Sequence, residues 1–483
     1  MKTKRFLWSF SLSLFLFIVS ITFAQVPKAG SGLDAANFIP MRERVQIMQK
    51  FWDWKRENVL PMILREQGVD MWIIRNDEEP LYRQTSYREH PVYTSLLPAN
   101  HEGQVLPSNY QGKISGLPEF LLFYDRGSTI EYVEPENYDH ITRLVRERDP
   151  KKIAIHMKNL YIRRQNFGGR SQLTIVTGDA MQQALGNKYV SRTVDSLELG
   201  ILWLSIMDPV QISMYRYVQG VQNDVIAEAF SNKVIIPNYT TTDDVNWWIR
   251  HRYRDLHLDI DNNPGVDIWR RPSKIAEYKD SSGLFRGGLA GDGRTNGENV
   301  IIRRGDVVTL DSDIMLLGLE TDSHQHAYVL LERETDVPEE LKEALRIVND
   351  IQDQYRKEFI LGRTAGEIRE SGNRIPRHPR IIESSLSFHP PPMFIRRFTA
   401  TDLQFSRGTY VAGMGSRYKQ HPLLFPAIKL HYNMIYAYEP HTTVAVPGWG
   451  EHGIELGIGQ IAAFTENGLE YLNRPMLEWH VVK

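Results

Sequence analysis

The chain has 483 residues, 42% of them apolar and 24% charged, with a formal net charge of −2. At roughly 100–200 residues per domain this is a globular protein of two to three domains. It carries no basic field to draw nucleic acid and no acidic tail. Cysteine is absent, which excludes disulfides and thiolate metal sites and leaves Asp, Glu and His to hold any metal.

Lys2, Lys4 and Arg5 precede an apolar run over residues 6–19, and Thr22 and Ala24 stand just before Gln25. This reads as a signal peptide over residues 1–24. Its apolar core is shorter than the ~20 residues that span a bilayer; an uncleaved anchor is the alternative. No later segment is apolar and long enough to span, so the expectation is an exported chain, periplasmic or secreted, with no stable membrane insertion after cleavage. Residues 25–40 read as a linker. From Met41 to Gly68 the apolar spacing predicts a helix, and short buried strands are predicted at residues 69–74, 120–124 and 153–156. Together, residues 41–204 form a first α/β domain.

A second domain, residues 205–483, begins with helical spacing over 208–230. Thr240, Thr241 and Thr242 with Asp243 and Asp244 predict a capped helix start. Residues 270–300 read as a loop, and strands follow at 307–310 and 327–331. Asp336 is expected to cap a helix with Leu341, Leu345, Val348 and Tyr355 on one face. Thr364 and Glu367 predict a capping box. Strands and loops fill the last hundred residues.

The chemistry concentrates in Gly305-Asp306-Val307-Val308-Thr309-Leu310-Asp311 and Gly318-Leu319-Glu320-Thr321-Asp322. Asp311 and Asp322 flank a turn between two strands, a spacing that can bring two carboxylates to one place, as hard divalent cations require. This wording resembles the first signature of the pita-bread metallopeptidases: methionine aminopeptidase, prolidase, Xaa-Pro aminopeptidase and creatinase. The segments at 319–330, 240–248, 32–44 and 446–450 are similar to an exported Xaa-Pro aminopeptidase group.

The resemblance implies an α/β (α+β) fold: a creatinase-like N-terminal domain, then a pita-bread catalytic domain with a pseudo-twofold curved antiparallel sheet. It implies two divalent metal ions, manganese or zinc, held by two Asp, one His and two Glu. It also implies a peptide substrate with proline at its second position. Asp311, Asp322 and Glu439 match three of the five ligands. The final glutamate's register falls on Gly459, and the histidine region reads Phe405-Ser406-Arg407-Gly408-Thr409-Tyr410. His441, two residues past Glu439, and Glu455 are the candidates to fill the gaps. Residues 374–429 hold nine Lys/Arg against only Glu383 and Asp402. True divergence, a segment wrapping the site with its own histidines, or compensating frameshifts would each account for them.

If the centre is filled, the cations acidify a water that attacks the carbonyl before proline. Three converging carboxylates otherwise repel one another, and a cation such as Arg407 could stand in for metal. Three functions therefore stay open: a metal-dependent Xaa-Pro exopeptidase, a metal-free relative that binds a peptide or partner without cleavage, and a creatinase-like amidinohydrolase. The oligomeric state, a homodimer included, stays open as well.

Overall fold

The computed structural model describes residues 39–75, 118–155, 178–258, 264–271, 299–389 and 428–483. The expected signal peptide, almost all of the expected linker and residues 272–298 of the expected loop lie outside them, as does the basic stretch at 390–427 with Arg407.

The predicted first helix is α1 (Met41–Glu66), with Glu43 in its first turn and Arg65 in its last, where each charge suits the helix dipole. Gly68 ends the turn at φ 61°, a conformation that favours glycine. Next come β1 (Met71–Arg75), β2 (Phe120–Asp125), β3 (Ile130–Val133), α2 (Tyr138–Arg148) and β4 (Ile153–Ile155). Three further elements complete this part: α3 (Gly178–Val190), β5 (Thr193–Asp195) and α4 (Leu197–Ser205). The five strands form one sheet in the order β3-β2-β1-β4-β5, antiparallel from β1 to β3 and parallel from β1 to β5. Leu60, Leu64 and Trp72 of this part share a core with Ile206, Met434 and Tyr436.

The remaining chain opens with α5 (Pro209–Ala229), where Asp208 caps by accepting from the Val210 N–H at 2.7 Å. It continues with α6 (Thr242–Asp255), started by a capping box between Thr241 and Asp244. The strands β6 (Gly265–Trp269), β7 (Val307–Ser312), the small hairpin β8 (Met315–Leu316) and β9 (Leu319–Glu320), and β10 (Ser323–Val329) follow. Then come α7 (Glu339–Arg356) and α8 (Ala365–Asn373). Thr364 and Glu367 form the expected capping box of α8, but Asp336 does not cap α7. Its carboxylate is taken by the Val337 N–H at 2.8 Å and by Lys342 at 2.6 Å, and the helix starts behind Pro338 without a side-chain cap.

The last strands are β11 (Ile381–Ser385), β12 (Phe388–His389), β13 (Met434–Tyr438), β14 (His441–Val444) and β15 (Ile454–Gly457). They end with β16 (Gln460–Thr465), β17 (Gly468–Tyr471) and β18 (His480–Val482). Two four-stranded sheets result, β18-β10-β7-β6 and β12-β13-β16-β17, with β11-β14-β15 beside them. An isolated antiparallel bridge between His324 and Gly459 joins the two larger sheets. Among the described residues, no helix is long and apolar enough to cross a membrane.

The final strand carries a half-buried titratable group. Nε2 of His480 lies 2.7 Å from the Gln325 side-chain oxygen and its ring packs 5.4 Å from that of Phe230. Burial first and Arg474 second push its pKa down from 6.5 to about 4. Between those pH values the unfolded chain binds the proton that the folded one refuses. Stability is therefore held above pH 6.5 and lost as pH falls toward 4. Urea unfolding of His480→Gln is expected to show less of this loss, by on the order of 1–3 kcal/mol. A gap between variant and parent that stays constant from pH 7 to 5 would contradict a half-buried neutral imidazole.

Candidate metal centre

The site grows from the register of β7 and β10. Asp311 and His324 are direct cross-strand partners, so their side chains leave the sheet on one face. Asp322, two residues before His324, shares that face by the same alternation. The alternate residues, Ser312 and Ser323, point to the other side, where α5 meets them with amides. Gln219 donates to the Ser323 hydroxyl at 2.8 Å, that hydroxyl donates to Gln222 at 2.9 Å, and Gln222 donates to the Ser312 carbonyl. The Gln219 side-chain oxygen also accepts from the Ile461 N–H at 3.3 Å, so one helix ties β10 to β16.

The start of β7 is fixed separately. Asp306 of the signature forms a buried ion pair with Arg270, Nε to Oδ1 at 2.6 Å, and accepts from the Arg303 N–H at 2.7 Å. Gly305, at φ 88°, makes the turn before it. This aspartate is structural and does not belong to the centre.

Glu439 arrives from the other sheet, one residue past β13, its N–H donating to the Ser387 carbonyl at 2.9 Å. Nε2 of His324 then stands 3.0 Å from Asp311, 3.7 Å from Asp322 and 3.6 Å from Glu439. The three carboxylates expected to converge do so, around a histidine that sequence reading passed over. The available signal was the two-residue step from Asp322 to His324 on a strand. The side chain of Asp311 is 62% exposed, whereas those of Asp322 and Glu439 are 8% and 11% exposed. The centre is thus a mostly buried cluster with one carboxylate at its mouth.

Burial, then the charge of Glu439, raise the Asp322 pKa well above the carboxylate range, and a hydrogen bond between the two carboxyl groups needs a proton. Burial alone would lower the pKa of His324; Asp311 and Glu439 overcome it and push the ring up to about 10. Without a cation, repulsion within the cluster therefore favours the protonated forms of Asp322 and His324.

The other candidates lie beside this cluster. The chain bends at Glu439-Pro440, so His441 starts β14 in a different sheet. Its ring is nonetheless 5.8 Å from that of His324, and its Nδ1 lies 2.9 Å from Glu455. His441 and Glu455 are therefore partners of each other. Gly459 lies opposite His324 in the bridge.

These features define an α/β protein of pita-bread fold with a carboxylate–imidazole centre at the seam of its two larger sheets. No protein-family model and no curated protein matches the sequence. Among solved structures, the X-Pro aminopeptidase from Thermotoga maritima MSB8 superposes with a TM-score of 0.50 at 14% identity, covering 88% of this chain and 99% of that one. A putative aminopeptidase P from Bacillus anthracis gives 0.50 at 11% identity, covering 88% and 94%. A variant of Escherichia coli aminopeptidase P gives 0.50 at 12% identity, covering 88% and 94%. At such identities the likeness establishes the fold.

The donor chemistry fits a divalent cation. Asp311, Asp322 and His324 each offer one ligand atom, all within 4.8 Å of one another. Two hard oxygens and one imidazole nitrogen suit manganese or zinc. Asp322→Asn keeps a hydrogen bond to Glu439 while deleting a repelling charge. It is expected to leave stability without metal unchanged or higher by up to about 1 kcal/mol. In the same variant, the stabilisation of ~3 kcal/mol that Mn2+ gives the parent at 100 times its Kd should vanish. Thermal unfolding with and without Mn2+ measures both effects. A loss above ~2 kcal/mol in metal-free Asp322→Asn would refute the shared proton.

Proposed function

We propose that the chain is a divalent-cation-dependent exopeptidase that cleaves the peptide bond before a proline at the second position. The observation that carries this reading is the meeting of three carboxylates and one imidazole in a fold seen in X-Pro aminopeptidases. Asp311, Asp322 and Glu439 supply oxygen donors and His324 a nitrogen donor. A divalent cation held there supplies an acidified water and polarises the scissile carbonyl.

The protein's own groups account for the remaining requirements. Asp311 stands at the exposed mouth, where a substrate enters. Three carboxylates outweigh one dication, and the residual negative charge favours a peptide with a free terminal ammonium. Glu439 borders both His324 and Asp322, and its charge raises the Asp322 pKa. It is the carboxylate assigned to carry a proton to the departing proline nitrogen. The buried positions of Asp322 and Glu439 keep bulk water from these charges, which strengthens their action.

A second reading has its own support. A protonated His324 within 3.7 Å of all three carboxylates offsets part of their charge without metal. In that state the fold would hold a peptide without cutting it.

Metal analysis of the purified protein, with hydrolysis of two peptides differing only in proline or alanine at the second position, separates the two readings. Cleavage of the proline peptide alone is expected, lost on chelation and restored by Mn2+. Asp322→Asn should lower kcat/KM by about 1000-fold or more. A folded protein that binds no cation and cleaves neither peptide leaves only the binding reading standing.

A further inference from the structure

Gly459 and His324 face each other with two backbone hydrogen bonds. The His324 N–H donates to the Gly459 carbonyl at 3.1 Å, and the Gly459 N–H donates to the His324 carbonyl at 3.3 Å. A Cβ on residue 459 would stand 3.1 Å from both Cγ and Nδ1 of the imidazole and 3.2 Å from the His324 backbone nitrogen. A side chain at 459 would thus press on the imidazole, which has to give by a few tenths of an ångström to admit it. Gly457 repeats the arrangement, since a Cβ there would lie 2.8 Å from Nδ1 of His441. Two glycines two residues apart leave room for two imidazoles, and the second is oriented by Glu455.

The consequence concerns how many cations fit. A pair about 3.5–4 Å apart needs bridging oxygens on both sides of the pair. Asp311, Asp322 and His324 bring one ligand atom each within 4.8 Å of one another, and Glu439 stands 3.6 Å from Nε2 of the same ring. On the 459 side, the described residues present the His324 ring and a glycine backbone. We propose that this centre binds one divalent cation per chain, with Nε2 of His324 as its nitrogen donor. The His324 ring, where it now sits, and a side chain at 459 then compete for the same space. This rests on the cation-dependent reading above and replaces the two-metal stoichiometry that the sequence resemblance implies.

The test uses the full chain stripped by a chelator and titrated with Mn2+ alone, followed by calorimetry and electron paramagnetic resonance. One ion per chain is expected, with the hyperfine spectrum of an isolated Mn2+. His324→Ala should weaken binding by more than the roughly 10–100-fold that loss of an outer partner costs. Gly459→Glu alone should also weaken it, because the new side chain meets the imidazole. The double variant, with the ring removed, should recover binding and take up a second ion. Two ions per native chain, or an exchange-coupled spectrum, would overturn the proposal whether or not any variant folds. Unchanged Mn2+ affinity in Gly459→Glu would do the same. Two ions with proline-peptide cleavage would sink the single-cation centre alone. A folded chain that binds no Mn2+ and cleaves nothing would sink the exopeptidase reading with it.

Discussion

Three carboxylates meet at one imidazole nitrogen, and the repulsion among them is the constraint that shapes this end of the fold. Two like unit charges 4 Å apart interact by about 4 kcal/mol at an effective dielectric near 20, against about 1 kcal/mol for a typical net hydrogen bond. No single backbone contact offsets that. Compensation has to come from within the cluster: burial and the charge of Glu439 raise the Asp322 pKa, and Asp311 and Glu439 raise that of His324 to about 10 against the pull of burial, so both groups favour holding protons. The same positive requirement is what a divalent cation would meet, with those protons displaced as it binds.

Holding such a cluster requires a scaffold that cannot yield to the repulsion. Alternation along β7 and β10 sends Asp311 and His324 to one face and Ser312 and Ser323 to the other. The second face is fixed by the amides of α5, so neither strand can shift register without breaking buried polar bonds. A slip of one residue would exchange the two faces entirely. The Arg270–Asp306 pair anchors the first residue before β7, and the His324–Gly459 bridge ties the centre to the opposite sheet. The first signature thus contains two kinds of aspartate: Asp306 holds the strand, and Asp311 is presented by it.

The local signals in the sequence were reliable where a short-range mechanism lay behind them. The capping boxes at Thr241 and Thr364 formed because side chain and backbone there are three residues apart. Asp336 failed as a cap because the helix begins behind Pro338, which leaves Asp336 two residues short of the N-cap position. His324 was legible through the two-residue step from Asp322, whereas the resemblance pointed to the region of residues 405–410 and the strand spacing to His441.

The sequence alone determined the α/β class, the resemblance to pita-bread metallopeptidases, and the three carboxylates at 311, 322 and 439. These follow from periodicity and from motif wording, both local properties of the chain. Only the tertiary structure decided what surrounds those carboxylates. Gly459 lies 135 residues after His324, and nothing in either neighbourhood announces that one vacates the volume the other fills. The fate of His441 and Glu455, paired with each other, was equally invisible. Steric exclusion and charge compensation act between residues distant in sequence, so they exist only once the sheets have met.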